Sequence, residues 1–220
     1  MKLILPKKEN MVVSEKFDIS WIYAGKSSRA AGHVYTKRLE LIASLVRKEK
    51  YSKIVELGSG SGILLPSLSK VGDLIVAMDI KRNFSDLKGL CKKEGIKNVL
   101  FVRADIEHLP FKENAFDLAL TVSILEHIKN LEDTLKGIKK IVSSEGNFVA
   151  GYPIEKFATN LAFKISGMKK IVDVEHVSNF QKIRDLIKKT FTVVEKRKYP
   201  ASFLPDNFSF YEGMLCNTHN

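Results

Sequence analysis

The fold of this chain is decided by one stretch, Lys53-Ile54-Val55-Glu56-Leu57-Gly58-Ser59-Gly60-Ser61-Gly62. A short apolar run that stops at glycines indicates a buried strand entering a tight turn. Glycine lets the backbone turn sharply and approach a ligand without a Cβ in the way. The helix expected next offers free N–H groups at its start. Three glycines at alternate positions exceed what a structural turn needs, so the stretch predicts a ligand-binding loop.

Strands and helices alternate on the carboxyl side of this loop. Strands are predicted at 74–79, 99–102, 116–122 and 147–152, and helices at 63–70, 84–94 and 131–142. This alternation predicts an α/β fold with a doubly wound parallel sheet. Farther on, we predict a helix capped by Ser178, then strands at 191–199 and 208–215 that form an antiparallel hairpin closing the sheet.

Two aspartates follow neighbouring strands at the edge where a parallel sheet binds its ligands. Asp79 ends the second strand, where a carboxylate can accept both hydroxyls of a ribose. Asp105 follows the third strand, where it can accept the amine of an adenine while Ile80 and Ile106 sandwich the ring. The glycine spacing departs from G-x-G-x-x-G, so these residues predict a nucleoside-containing ligand and leave its identity open.

The composition excludes several classes of protein. With 220 residues, 45% of them hydrophobic, and a mean hydropathy of -0.07, the chain is not a disordered one. Its two cysteines, Cys91 and Cys216, cannot build a disulfide framework or a four-cysteine zinc site. No stretch approaches the ~18 apolar residues of a membrane span, and the charged start lacks the apolar part of a signal peptide. We therefore expect a cytoplasmic protein.

The net charge of +11 is unevenly distributed. Residues 1–53 carry 12 basic and 5 acidic side chains, residues 54–160 carry 14 of each, and residues 161–220 carry 10 and 6. Segregated charge suggests that one face meets an anion, although lysine-rich solvated helices give the same statistics. The basic flanks therefore suggest an anionic partner, either a small molecule or an RNA.

Four motifs in this order resemble a known family. ELGSGSG at 56–62, the acid of VAMDI at 76–80, ADIEHLPF at 104–111 and FDLALTVSILEHI at 116–128 look like those of class I S-adenosylmethionine-dependent methyltransferases. Within that family, the chain looks most like the small-molecule group related to ubiquinone and menaquinone biosynthesis. The resemblance covers about residues 50–152. It implies a Rossmann-like sheet of seven strands, mostly parallel with the last one antiparallel.

The resemblance also implies the cofactor, S-adenosyl-L-methionine, with S-adenosyl-L-homocysteine as the product. It assigns the methionine part to Glu56, Gly58 and Gly60, the ribose to Asp79 and Ile80, and the adenine to Asp105 and Ile106. Ser123 would lie by the sulfonium end, and Ser59 and Gly62 complete the predicted cofactor-binding set.

Few residues suit a catalytic role. A sulfonium methyl is already activated, so transfer depends mainly on alignment, which can supply about 7–11 kcal/mol. A base helps only if the acceptor is a hydroxyl or an acidic carbon. The candidates are His127 and His176, although a structural role is favoured for each, with Tyr23 and Tyr152 as hydrogen-bonding alternatives. No clustered Asp/Asn pair suggests a magnesium site, so no metal is predicted.

We predict that residues 1–50 form a helical extension over the cleft, that residues 51–220 form the methyltransferase domain, and that 155–178 is a substrate lid. The candidates to close the site from the extension are Trp21, Tyr23, Arg29 and His33. The expected acceptor is a small, anionic metabolite, with RNA as the alternative. An NAD-dependent oxidoreductase and a non-catalytic cofactor-binding protein are further alternatives, and the oligomeric state is open.

Overall fold

Seven strands form one open sheet in the computed structural model, which describes residues 1–11, 29–80, 84–154 and 177–218. They are β1 (Tyr51–Leu57), β2 (Gly72–Asp79), β3 (Val99–Arg103), β4 (Phe116–Val122), β5 (Val142–Pro153), β6 (Thr192–Tyr199) and β7 (Tyr211–Asn217). Their order across the sheet is β3-β2-β1-β4-β5-β7-β6. The order reverses direction at β1 and β4, and this confirms the predicted doubly wound fold.

Five α-helices cover the two faces of this sheet in the described ranges. They are α1 (Arg29–Leu45), α2 (Leu65–Val71), α3 (Phe84–Lys93), α4 (Leu131–Ile141) and α5 (Phe180–Thr190). Because side chains alternate along a strand, β1 feeds both cores. Ile54 joins the apolar cluster under α1 to α3, and Val55 joins the cluster under α4 and α5.

The last strand runs against its neighbours, as predicted. β7 pairs antiparallel with β5, where Met214 lies opposite Ala150, and antiparallel with β6, where Met214 lies opposite Lys196. The hairpin inserts its second strand into the sheet and leaves β6 at the edge. Exposed charged side chains such as Lys196 are the usual protection of an edge strand against further pairing.

The predicted cap of α5 is wrong. The helix begins at Phe180, and the side chain of Asn179 accepts the Lys182 N–H at 2.9 Å. Ser178 is buried instead, and its hydroxyl donates to the Ile128 carbonyl at 3.3 Å. Both residue types suit an N-cap. Tertiary contacts with the turn after β4 decide which of them takes that position.

Helix α1 lies directly on β5 and β7 because two paired glycines leave room for it. Gly151 lies opposite Gly213 in the ladder. A Cβ built on either glycine would stand 2.4 Å from a side-chain carbon of α1, Ile42 Cδ1 at Gly151 and Leu41 Cδ2 at Gly213. Side chains at these positions would therefore lift the helix off the sheet.

Residues 1–11 also pack on the domain. The Ile4 N–H donates to Ser67 Oγ at 2.7 Å, and the Lys7 N–H donates to Glu94 at 2.9 Å. The parts of the predicted extension and lid at 12–28 and 155–176 lie outside the described residues. The boundary at residue 50 stays a prediction.

Candidate active site

The strand register brings the predicted site residues to one edge of the sheet. Leu57 lies opposite Met78 of β2 and Thr121 of β4, and Asp79 lies opposite Arg103 of β3. Neighbouring strands are about 4.8 Å apart. The residues just after these strand ends, among them Gly58 and Ser123, therefore meet at the switch point of the sheet, where α/β folds bind ligands.

The glycine loop after β1 is tied to the end of β2. Both Gly58 and Ser59 donate their N–H groups to the Met78 carbonyl at 2.9 Å. The Gly60 N–H donates to Asp79 Oδ2 at 3.0 Å. The carboxylate predicted to bind a ribose thus also holds the loop predicted to bind the rest of the ligand.

The three glycines of the loop have different functions. A Cβ on Gly58 would stand 3.0 Å from the Ile124 side chain, and one on Gly62 would stand 2.9 Å from Leu65, so both glycines are required by packing. Gly60 has a left-handed φ of +48°, and no atom of the described structure lies within 4 Å of its virtual Cβ. Gly60 therefore faces open space that a ligand can approach closely.

Glu56 is a buried carboxyl beside this open space. Glu56 is 3% exposed, and within the described ranges its Oε2 has no hydrogen-bond partner. Burial, together with the negative charge of Asp79, raises the pKa of Glu56 to about 8. A buried unpaired acceptor is costly, so a ligand group that donates hydrogen bonds or carries positive charge would fit here.

Ser123, just after β4, has a strained backbone. Its φ of +54° lies in the left-handed region that non-glycine residues rarely adopt. The Ser123 N–H donates to the Gly151 carbonyl at 2.8 Å. Its hydroxyl lies 3.1 Å from the Tyr211 hydroxyl and accepts a hydrogen bond from Arg38 Nη1 at 3.3 Å. Such strain is typical of functional sites.

Only one of the two isoleucines predicted to sandwich the adenine is exposed. Ile80 exposes 45% of its surface, whereas Ile106 is 7% exposed and packs in the core under α4 and α5. Asp105 uses Oδ1 to accept the Glu107 N–H at 2.9 Å, closing its own turn. The sandwich of an adenine stays a prediction, with Ile80 as its exposed apolar member.

The catalytic candidates differ in what the structure describes of them. His127 ends a short 3-10 turn, Leu125–His127, close to the end of β4. His176 and Tyr23 lie outside the described residues. Tyr152 is fully buried and donates to Glu212 at 2.5 Å. Burial, followed by the charge of Glu212, raises the pKa of Tyr152, so this hydroxyl belongs to a buried network.

Sequence reasoning missed Arg38 and Tyr211. The guanidinium of Arg38 lies 4.3 Å from the ring centre of Tyr35 and 5.7 Å from that of Tyr211. The only available signal was an arginine one helical turn after a tyrosine, which is too common to single out a site.

Within the described ranges, no three His, Cys, Asp or Glu side chains are grouped to hold a metal ion. None of the described helices is long and apolar enough to cross a membrane.

Comparison with known proteins agrees with this geometry. A family model for a methyltransferase domain matches residues 55–150, the range that holds the glycine loop, Asp79 and Ser123. The chain thus contains a methyltransferase domain, in agreement with the predicted class I S-adenosylmethionine-dependent family.

The chain is similar to proteins of known sequence and structure. It is 28% identical over 178 residues to the ubiquinone/menaquinone biosynthesis C-methyltransferase of Wigglesworthia glossinidia brevipalpis, covering 76% of this chain and 67% of that one. It shares its fold with a SAM-dependent methyltransferase from Aquifex aeolicus, with 16% identity, a TM-score of 0.66, and coverage of 93% and 100%. It also shares it with the N-methyltransferase NodS of Bradyrhizobium japonicum in complex with S-adenosyl-L-homocysteine, with 15% identity, a TM-score of 0.60, and coverage of 87% and 89%.

The chain spans only part of several curated relatives. It covers 67% of the first one, 35% of a demethylmenaquinone methyltransferase and 48% of an uncharacterised archaeal protein. The similarity therefore extends over a common domain and not over the whole length of these relatives.

Proposed function

We propose that this protein transfers a methyl group from S-adenosyl-L-methionine to a small, anionic acceptor. The observation that carries the proposal is the open space over Gly60, between the buried Glu56 carboxyl and Asp79 at the end of β2. The NodS relative, which binds S-adenosyl-L-homocysteine, shares the fold that creates this edge.

The residues at this edge fit the parts of the cofactor. Glu56 Oε2, which has no hydrogen-bond partner among the described residues, would accept a hydrogen bond from the ammonium of the methionine part. Asp79 would accept the two ribose hydroxyls, and the exposed side chain of Ile80 offers apolar surface to the adenine. The cofactor, when bound, supplies a methyl group already activated on a sulfonium.

The protein's own contribution is alignment. The glycine loop and the end of β2 are joined by backbone hydrogen bonds, and Ser123 is held between β5 and β7. Rigid placement of two reactants is worth about 7–11 kcal/mol of barrier. His127 would act as a base only for an acceptor that must lose a proton.

A small molecule is the favoured acceptor because the relative from Wigglesworthia is a C-methyltransferase of ubiquinone and menaquinone biosynthesis. RNA is the second candidate, and the basic flanks favour it. Retention on immobilised RNA distinguishes the two. Phosphate contacts would make retention fall steeply with salt, whereas a metabolite enzyme would show no such retention.

Titration calorimetry with S-adenosyl-L-homocysteine tests the proposed cofactor. We expect saturable binding of one molecule per chain. If neither this ligand nor S-adenosyl-L-methionine binds at millimolar concentration, the proposal fails. A parallel NADH fluorescence titration tests the oxidoreductase alternative, and methyl transfer from labelled cofactor distinguishes an enzyme from a non-catalytic binding protein.

A further inference from the structure

Three residues from distant parts of the chain meet at the end of β4. Ser123 Oγ accepts a hydrogen bond from Arg38 of α1 at 3.3 Å and lies 3.1 Å from the hydroxyl of Tyr211, the first residue of β7. The guanidinium is also stacked at 4.3 Å on the ring of Tyr35. One cation and two hydroxyls are thus held together at the active-site edge of the sheet.

The position of Arg38 is set by the sheet and not by the helix alone. Ile42, one helical turn later, is fully buried and packs where Gly151 and Gly213 lack side chains. Residues four apart lie on the same face of a helix. Seating Ile42 on the glycine pair therefore places Arg38 over Ser123, and a rotation of α1 would separate them.

This cluster adjoins the proposed cofactor loop. Ile124, the residue after Ser123, packs so closely on Gly58 that a Cβ there would lie 3.0 Å from it. The strained φ of Ser123, +54°, points to a conformation retained for a purpose other than stability. The cluster therefore borders the loop that is proposed to bind the cofactor.

We propose that Arg38, Ser123 and Tyr211 form an anion-binding subsite that holds the methyl acceptor in its ionised form, as a phenolate, enolate or carboxylate. The inference rests on the proposed function. A guanidinium near a sulfonium is repelled unless an anion lies between the two charges. An arginine held over an aromatic ring is well suited to bind a planar anionic group.

The implied transfer balances without a base acting during the step. A lone pair of the acceptor anion forms the new bond to the methyl carbon. The carbon–sulfur bond breaks and both of its electrons stay on sulfur. The negative charge of the acceptor and the positive charge of the sulfonium are lost together, since the acceptor released its proton to solvent when it bound to Arg38.

The test compares benzoate with its neutral isostere benzamide, titrated into the complex with S-adenosyl-L-homocysteine. We expect the unaltered protein to prefer benzoate and Arg38→Met to lose this preference, because hydrogen bonds to charged groups are worth about 10- to 150-fold in affinity. Arg38→Lys should retain part of it. Lys37→Met is the matched control, since it removes the same charge at the neighbouring position, where Lys37 pairs on the surface with Glu40.

Three results would overturn the inference. The first is that the unaltered protein does not bind benzoate. The second is that Arg38→Met prefers benzoate over benzamide as strongly as the unaltered protein does. The third is that Lys37→Met loses this preference as fully as Arg38→Met. A further titration compares the binding of S-adenosyl-L-homocysteine with that of 5′-methylthioadenosine, which lacks the amino-acid carboxylate. If Arg38→Met weakens only the former, the bound anion is the cofactor's own carboxylate and the acceptor assignment is wrong. Absence of any S-adenosyl-L-homocysteine binding would instead contradict the proposed function.

Discussion

The buried carboxyl of Glu56, at the end of β1, is close enough to Asp79, at the end of β2, for that charge to add to burial in raising its pKa to about 8. The pair destabilises the ligand-free protein, since the charge of Asp79 disfavours ionisation of the buried Glu56. Proteins retain such costs where function requires them. The pair is therefore expected to be relieved by a ligand that carries positive charge.

Replacing Glu56 by Gln should stabilise the ligand-free protein at alkaline pH. In the unfolded chain Glu56 titrates near 4.5, and in the folded protein near 8. The folded state holds the extra proton between these values, so the stability that Glu56 contributes is lost as pH rises from about 4.5 to about 8. Urea unfolding should show Glu56→Gln gaining roughly 2–5 kcal/mol at pH 8.5 and little at pH 4.5.

Glu49→Gln is the control for this measurement, because Glu49 is an exposed glutamate. Its unfolding free energy should follow that of the unaltered protein at both pH values. Parallel pH profiles for Glu56→Gln and the unaltered protein would contradict the assignment of a raised pKa to Glu56.

Replacing Asp79 by Ala should weaken binding of S-adenosyl-L-homocysteine. Two hydrogen bonds to ribose hydroxyls, at about 0.5–1.5 kcal/mol each, correspond to roughly 5- to 150-fold in affinity by calorimetry. The melting temperature of the ligand-free variant should not fall along with the affinity, because the substitution also removes the repulsion between Asp79 and Glu56. Asp73→Ala, in the same strand and paired with the exposed Lys50, should leave affinity unchanged; an equal loss there would make the effect non-specific.

Adding a methyl group at Gly213 should destabilise the protein. A Cβ there would stand 2.4 Å from Leu41 and 2.8 Å from Leu45, and overpacking of this kind costs about 1–3 kcal/mol. Gly89→Ala is the opposite case. Gly89 lies within α3, no described atom is within 4 Å of its virtual Cβ, and the change should stabilise by about 0.5–1 kcal/mol. Chemical denaturation of both variants tests the pair. A neutral Gly213→Ala would contradict the packing described for α1, and a destabilised Gly89→Ala would contradict the open surroundings of Gly89 in α3.

Removing the Arg184 side chain should have the largest effect on stability. Arg184 donates to Glu212, which is 0% exposed, at 2.7 and 2.8 Å, and to Asp206 at 2.9 and 3.0 Å. Arg184→Met would leave a buried carboxylate without its cation, a loss of about 3–5 kcal/mol. The control, Lys136→Met, breaks an exposed pair with Glu132 and should cost no more than about 0.5 kcal/mol.

The same network gives a pH signature. Hydrogen bonds from Arg184 lower the pKa of Asp206 from 3.8 to about 2. The stability that Asp206 contributes is therefore present above about pH 4 and is lost as pH falls toward 2. Arg184→Met should flatten the acid limb of the unfolding profile, and an unchanged acid limb would show that Arg184 is not the cause of the low pKa.

The glycine loop, the aspartates at strand ends and the alternation of strands and helices were predictable because each is a local signal. An apolar run that stops at Gly58 specifies a strand end wherever it occurs. The parallel order then follows from the handedness of the crossovers. Caps are less certain, and Asn179 replaced the predicted Ser178 because a distant turn buries the serine.

The sequence by itself predicted the edge of the sheet where Gly58, Asp79 and Ser123 meet, and the methyltransferase domain that residues 55–150 match. The tertiary structure alone decided that Ile106 packs inward, that Tyr152 belongs to a buried network, and that Arg38 reaches Ser123. The Arg38–Ser123 contact joins residues 85 positions apart, and that of Ser123 with Tyr211 joins residues 88 apart. Neither contact has a local signal, because each depends on how α1 packs on the glycine pair of β5 and β7.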